Sequence, residues 1–224
     1  MRMHRRALFT LLAMLFARGA SLDEVLGRMD TAAKQFKSYS ATANVTHYSK
    51  MFDDRDEQIG PFRLRRIKNG VSGIMDLSAG RDPKVFHFNG PELEIYLPKA
   101  GETQIIKEGQ YASIVNRMLL IGFSVSRDEM KKDYSLALNG AEKAGSVPAT
   151  RIILTPKSRD VLKTITAIDL WIPDGQGYAI RQKVTRHNGD YDLTEYSNLQ
   201  LNGPLPDSAF ELIVPPGTKR VIQN

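Results

Sequence analysis

Apolar residues recur along this chain with two different periods. Leu22, Val25, Leu26, Met29, Ala33 and Phe36 stand three or four positions apart, the spacing of one helical face. Ser21 and Glu24 stand just ahead with capping-box spacing, so a helix opening after Ser21 and packed on a sheet is expected. From Tyr39 the period drops to two. Ala41, Ala43, Val45 and His47 alternate with Thr42, Asn44 and Thr46. Further strand candidates are Phe62–Ile67, Val71–Leu77, Lys84–Phe88, Glu92–Leu97 and Thr103–Lys107. A second series follows at Tyr134–Leu138, Thr150–Leu154, Thr164–Trp171, Ala179–Arg186, Asp192–Leu199 and Phe210–Val214. Roughly eleven or twelve strands with little helix give an α+β, mainly β, class, built as two stacked sheets or one strongly curved sheet.

Asn-Gly pairs at Asn69-Gly70, Asn89-Gly90, Asn139-Gly140, Asn188-Gly189 and Asn202-Gly203 punctuate these runs. Both residues tolerate positive φ, so the pairs predict tight hairpins and a long antiparallel meander. Gln110 to Lys132 interrupts the meander. Tyr111, Ile114, Val115, Met118 and Leu119 lie on one helical stripe, and Leu120, Ile121 and Phe123 carry apolar surface beyond it. Gly122 can end that helix, and Ser126 with Glu129 forms a capping box for a short second helix through Lys132. This predicts a helical hairpin, either a plain core helix covering the sheet or a plug in the mouth of a half-open barrel.

The first residues follow a different logic. Arg2, His4, Arg5 and Arg6 precede the apolar stretch Ala7 to Ala17, and Ala17-Arg18-Gly19 offers small residues at a cleavage position before Ala20. This is the layout of a secretory signal peptide over residues 1–19, since eleven apolar residues cannot cross ~30 Å of hydrocarbon. The expectation is export to the periplasm and one domain over residues 20–224. Loss of residues 1–19, which hold four arginines and no acid, would lower the formal charge from +6 to +2. The basic balance then says little about nucleic acid, and no nucleic-acid partner is expected. The chain has no cysteine, hence neither disulfides nor a lipidation site of the bacterial lipoprotein kind.

Chemical motifs are sparse. His4, His47, His87 and His187 show no metal-ligand spacing. The acidic group Asp53, Asp54, Asp56 and Glu57 lacks the glycine and closing glutamate of an EF-hand loop, and reads as a solvated turn between the first two strands. Gly70-Val71-Ser72-Gly73 falls short of a nucleophile elbow, and no phosphate-binding loop is present. The expectation is therefore a protein that is not an enzyme, with no cofactor and no metal. Arg63, Arg65, Arg66 and Lys68 make a basic strand, with Arg63 and Arg65 on one face and Phe62, Leu64, Arg66 and Lys68 on the other.

Several segments together resemble one family. They are Phe36-Lys-Ser-Tyr-Ser-Ala41, Leu93-Glu-Ile-Tyr-Leu-Pro-Lys99, Leu119-Leu-Ile-Gly-Phe123, Leu170-Trp-Ile-Pro173, Gly189-Asp-Tyr191 and Pro206-Asp-Ser-Ala-Phe210 through Pro216-Gly217. In order and type they resemble the outer-membrane lipoprotein carrier LolA and its broader superfamily. The resemblance implies an unclosed antiparallel β-barrel with an N-terminal helix and a helical hairpin plugging the concave face. It also implies a periplasmic monomer that carries acyl chains of a lipoprotein or lipid from an inner-membrane transporter to an outer-membrane acceptor. On that reading Tyr111, Ile114, Val115, Met118, Leu119, Phe123 and Trp171 line the lipid site or its lid. The better-known carriers have Arg-Pro followed by Phe-Arg-Trp, where the arginine helps hold the lid. Here the comparable strand is Gly60-Pro-Phe-Arg-Leu-Arg-Arg-Ile67, with Arg66 the candidate lock. Similar domains also occur in periplasmic regulators of envelope-stress sigma factors, so a lipid or lipoprotein sensor stands as the alternative.

Overall fold

The computed structural model describes residues 20–68, 70–90, 92–107 and 120–223. Helix α1, Leu22–Gln35, begins where the capping box places it: Ser21 and Glu24 satisfy each other's free backbone N–H groups. The strands are β1 (Ser38–Ser49), β2 (Asp54–Ile67), β3 (Gly70–Leu77), β4 (Lys84–Asn89), β5 (Glu92–Leu97) and β6 (Glu102–Ile106), then β7 (Tyr134–Ala144), β8 (Val147–Pro156), β9 (Ile165–Pro173), β10 (Arg181–Arg186), β11 (Tyr191–Leu201) and β12 (Lys219–Gln223). Two short helices, α2 (Arg127–Asp133) and α3 (Arg159–Leu162), complete the α-helices among the described residues.

All twelve strands form one sheet, in the order β12-β6-β5-β4-β3-β2-β1-β11-β10-β9-β8-β7. The chain starts in the middle with β1 and meanders outward to β6. It re-enters at the far edge with β7 and meanders back to pair β11 with β1. The edges do not meet, so the barrel stays open, and every pair is antiparallel except β6–β12. The strand expected at Phe210–Val214 is not one. Asp207–Phe210 is a single 3-10 turn, and the chain beyond it lays Leu212 and Val214 against Ile74, Val85 and Tyr96 on the outer face. The closing strand is β12, parallel to β6.

Three Asn-Gly pairs lie at hairpins and two do not. Gly70, Gly90 and Gly189 have positive φ at the β2–β3, β4–β5 and β10–β11 connections. Gly140 instead sits at a bulge inside β7, where the register to β8 shifts. Asn202, with φ 56°, ends β11, and its side-chain carbonyl accepts the Lys37 N–H at 2.7 Å. The acidic group is also displaced from its expected place: the β1–β2 turn is residues 50–53, and Asp54, Asp56 and Glu57 belong to β2.

The concave face is filled unevenly. Val25, Leu26 and Met29 of α1 pack with Ile152, Leu154, Ile168, Leu170 and Val184 from β8, β9 and β10. Burial of these chains, at ~25 cal/mol per Å² of apolar surface, is what holds the helix down. A second cluster joins Phe36, Tyr39, Phe62, Leu64 and Met75 to Tyr196. The piece Leu120–Phe123 bridges the two, since Ile121 belongs to the first and Phe123 to the second. Gly122 allows this bend: its φ is 93°, and a Cβ there would lie 2.8 Å from the Ala179 side chain. Ser126 and Glu129 cap α2 reciprocally, as the spacing predicts. The first arm of the predicted hairpin, with Tyr111, Ile114, Val115, Met118 and Leu119, lies outside the described residues.

Candidate functional site

Alternation and register decide what faces inward. Opposite Val45 and His47 on β1 stand Gln58 and Asp56 on β2 and Thr194 and Asp192 on β11. The same phase puts Leu77, Phe86, Ile95 and Leu97 inward on β3 to β5, and Gln182, Val184 and Arg186 on β10. Helix α1 and the Phe36–Tyr39 cluster fill one end of this surface, and the other end is left hollow. The hollow has a volume of about 710 Å³, within the ~300–1,000 Å³ usual for ligand pockets. Its walls include Val45, Met75, Leu77, Phe86, Ile95, Leu97, Val161, Ile165 and Val184, drawn from both halves of the sheet, with Tyr196 beside them. Ser49, Asp54, Asp56, Lys84, Asp160, Arg186 and Asp190, at or near strand ends, make its polar rim.

Between wall and rim lies a linked polar group. His47 Nδ1 is 2.6 Å from Asp192 Oδ1, and its Nε2 is 3.1 Å from the buried Gln58 amide oxygen. Arg186 pairs with the other side of Asp192. The bond to Asp192 raises the His47 pKa against the opposing effect of burial. Burial works against ionisation of Asp192, but the His47 bond and the Arg186 charge override it and hold its carboxyl below the usual range. Both shifts favour the charged pair. The Asp192 contribution is present above the unfolded carboxylate value, ~3.9, and is lost as pH falls through its lowered folded value. The His47 contribution is full below the unfolded histidine value, ~6.5, and is lost as pH rises through its raised folded value. Stability to urea is therefore expected to decline on the alkaline side of His47 titration. His47→Asn should remove that decline, and an unchanged pH profile in this variant would show that the pair contributes nothing.

The expected site residues separate. Phe123 is buried in the aromatic cluster, 4.4 Å from Tyr39 and 5.1 Å from Tyr196 between ring centroids. It therefore backs the hollow through Tyr196, which lines it. Trp171 does not face the hollow. It pairs in register with Arg151 and Arg181 on the outer face, its N–H donates to Glu142 at 2.8 Å, and both guanidiniums lie over its ring, at 5.0 and 5.5 Å. Its expected place on the lipid side is corrected by strand phase, because Leu170 and Ile172 take the inward positions. Arg66 faces inward, but its described partners are in and just after α1: it donates to the carbonyls of Ala33 at 2.9 Å and Phe36 at 3.0 Å. It thus supplies donors to carbonyls at the C-terminal end of that helix, where the Ala33 carbonyl also accepts the Phe36 N–H. Among the described residues no group of three or more His, Asp or Glu could hold a metal ion, and no helix is long and apolar enough to cross a membrane.

No family model matches this sequence, and no curated protein matches it. Solved structures do. An uncharacterized conserved protein from Thermus thermophilus is 11% identical, over 90% of this chain and 98% of its own, with a TM-score of 0.55. This likeness shows a shared fold. The lipoprotein LppX of Mycobacterium tuberculosis is 14% identical over 83% of this chain and 99% of its own, with a TM-score of 0.47. A LolA superfamily protein from Nitrosomonas europaea is 15% identical over 86% of this chain and 98% of its own, with a TM-score of 0.40.

Proposed function

We propose that this protein is a periplasmic carrier that holds the acyl chain of a lipid or lipoprotein in the hollow of its open barrel and passes it from inner to outer membrane. One observation carries the reading: a hollow of about 710 Å³ with apolar side chains from both halves of the sheet in its walls, the His47–Asp192 pair beside them and further charges at its rim. Such a shape suits a long apolar chain with a polar head outside. Each CH₂ transferred from water into it gains ~0.8 kcal/mol, so a chain of ordinary lipid length binds tightly without specific polar contacts. The sequence resemblance to the LolA superfamily points the same way. So does the exported character expected from residues 1–19.

Carriage requires release as well as capture. No ATP-driven step is needed if the recipient offers the chain a better apolar environment. The test is a fluorescence titration with a long-chain fatty-acid probe. Saturable binding at micromolar concentration or below is expected, with no competition from small charged metabolites. Folded protein that fails to saturate would remove the carrier reading. Mixing loaded protein with lipid vesicles then distinguishes the two roles, since a carrier hands the probe over and a sensor retains it.

A further inference from the structure

The β1–β2 hairpin ends in a turn, residues 50–53, that presents two large apolar side chains side by side. Met51 is 85% exposed and Phe52 77%. The other large apolar residues exposed among the described residues, such as Ile59 and Ile213, have no large exposed apolar neighbour in sequence. Singly exposed apolar residues are ordinary on a protein surface; an adjacent pair at a projecting tip is not accounted for by that rule. The tip is also held in place. Tyr48 donates its hydroxyl to Asp53 at 3.0 Å, and the Lys50 N–H donates to Asp190 at 2.8 Å. Tyr48, Ser49 and Asp54, which flank the turn, lie on the rim of the hollow. Met51 and Phe52 therefore project from the mouth.

The outer face behind the tip carries a ladder of rings and cations. Tyr48 stacks on Tyr191 at 4.8 Å, Arg55 lies 5.6 Å over Tyr48, and Lys183 Nζ lies 4.2 Å over Tyr191. Neither cation is in an ion pair with a described carboxylate; each is held over a ring. Of the acids near the tip, Asp54 and Asp56 are engaged by Arg81 and Asp192 by His47 and Arg186, while Asp53 accepts from the Tyr48 hydroxyl and Asp190 from the Lys50 N–H and the Asn188 amide. Glu57 lies on the Arg55 face, two residues further from the tip. Apolar side chains leading, with tyrosines and unpaired cations behind, is the chemical order of a bilayer from acyl chains to phosphates.

We propose that the β1–β2 tip docks on a phospholipid bilayer. Met51 and Phe52 enter the acyl region, and Arg55 and Lys183 meet lipid phosphates. The mouth then faces the membrane, and an acyl chain moves between bilayer and hollow without crossing water. This docking role rests on the carrier reading, but its test does not depend on it.

Full-length protein is mixed with protein-free vesicles of phosphatidylethanolamine and phosphatidylglycerol and floated on a density gradient. The wild type is expected to float. Met51→Ser with Phe52→Ser is expected to bind about tenfold more weakly or worse, because both apolar anchors are gone. Both proteins should bind the fatty-acid probe equally in the absence of vesicles. Since the chain has no cysteine, Phe52→Cys and Ile213→Cys each give one site for a polarity-sensitive fluorophore. Vesicles should shift the label at residue 52 and leave that at residue 213 unchanged. Equal flotation of wild type and double variant, equal shifts at both labels, or flotation only with membranes containing envelope proteins would each overturn the proposal. Tip-dependent flotation without any probe binding would support docking and remove the carrier reading.

Discussion

Gly60→Ala is expected to lower the stability of this protein by about 3 kcal/mol or more, since overpacking a core costs ~1–3 kcal/mol and here the obstacle is backbone. An added Cβ would lie 1.6 Å from the Asp76 carbonyl oxygen and 2.8 Å from its carbon. A side chain could turn away, but a carbonyl inside β3 cannot. Gly60 pairs with Ala43 of β1, and the β2–β3 ladder begins only at Phe62 opposite Met75. Moving β2 aside would thus pull Phe62 and Met75 out of the central cluster. Thermal unfolding should show a drop of roughly 6–12 °C, at ~2–4 °C per kcal/mol for a chain of this size. Gly27→Ala is the control. Nothing lies within 4 Å of its Cβ position inside α1, so it should stabilise by ~0.5–1 kcal/mol. A Gly60→Ala protein as stable as the wild type would mean that β2 and β3 are not this close.

Ile95→Asp is expected to weaken fatty-acid probe binding by about thirtyfold, equivalent to ~2 kcal/mol, while the protein stays folded. Ile95 faces inward from β5, is half-buried and lines the hollow. In the empty protein a carboxylate there keeps water that enters from the mouth. A bound acyl chain must strip that water away, and an ionised group left in an apolar wall without a partner is costly. Ile59→Asp, on the outer face of β2 at a 55% exposed position, should leave affinity unchanged. Equal affinity in the Ile95→Asp protein would move the acyl chain out of this hollow.

Local chemistry was the most legible part of the sequence. Both capping boxes form as their spacing demands, because each is complete within four residues. Period-two alternation located most strands, since a half-buried strand needs little beyond its own face. Failures came where partners are distant. β12 has no apolar face of its own and is a strand only because β6 leaves an edge for it. Leu170, Trp171 and Ile172 are all apolar, so no polar phase showed which side each takes. Arg66 could be assigned to the inner face, but not to the α1 carbonyls it holds. The hollow itself had no motif: its walls come from strands across the whole sheet. The alternation that puts His47 in phase with Ala41, Ala43 and Val45 said nothing of Asp192 as its partner. Nothing local showed that β11 would lie beside β1.

That placement of β1 has a consequence for how the chain folds. Each strand from β1 to β6 lies beside its predecessor, and so does each from β7 to β11, so two local ladders can form independently at small entropic cost. Joining them requires β1 to meet β11, from nearly opposite ends of the described chain. Contacts that far apart make this the expected slow event of folding. A chain emerging amino-terminus first would hold one side of β1 unpaired until β11 arrived. Its N–H and C=O groups there would be open to any other strand. The strand at the centre of the finished sheet is thus, while the chain is being made, an unguarded edge. Weakening the seam, as at Ala43 opposite Tyr196, should lengthen that interval and raise aggregation more than it lowers the final stability.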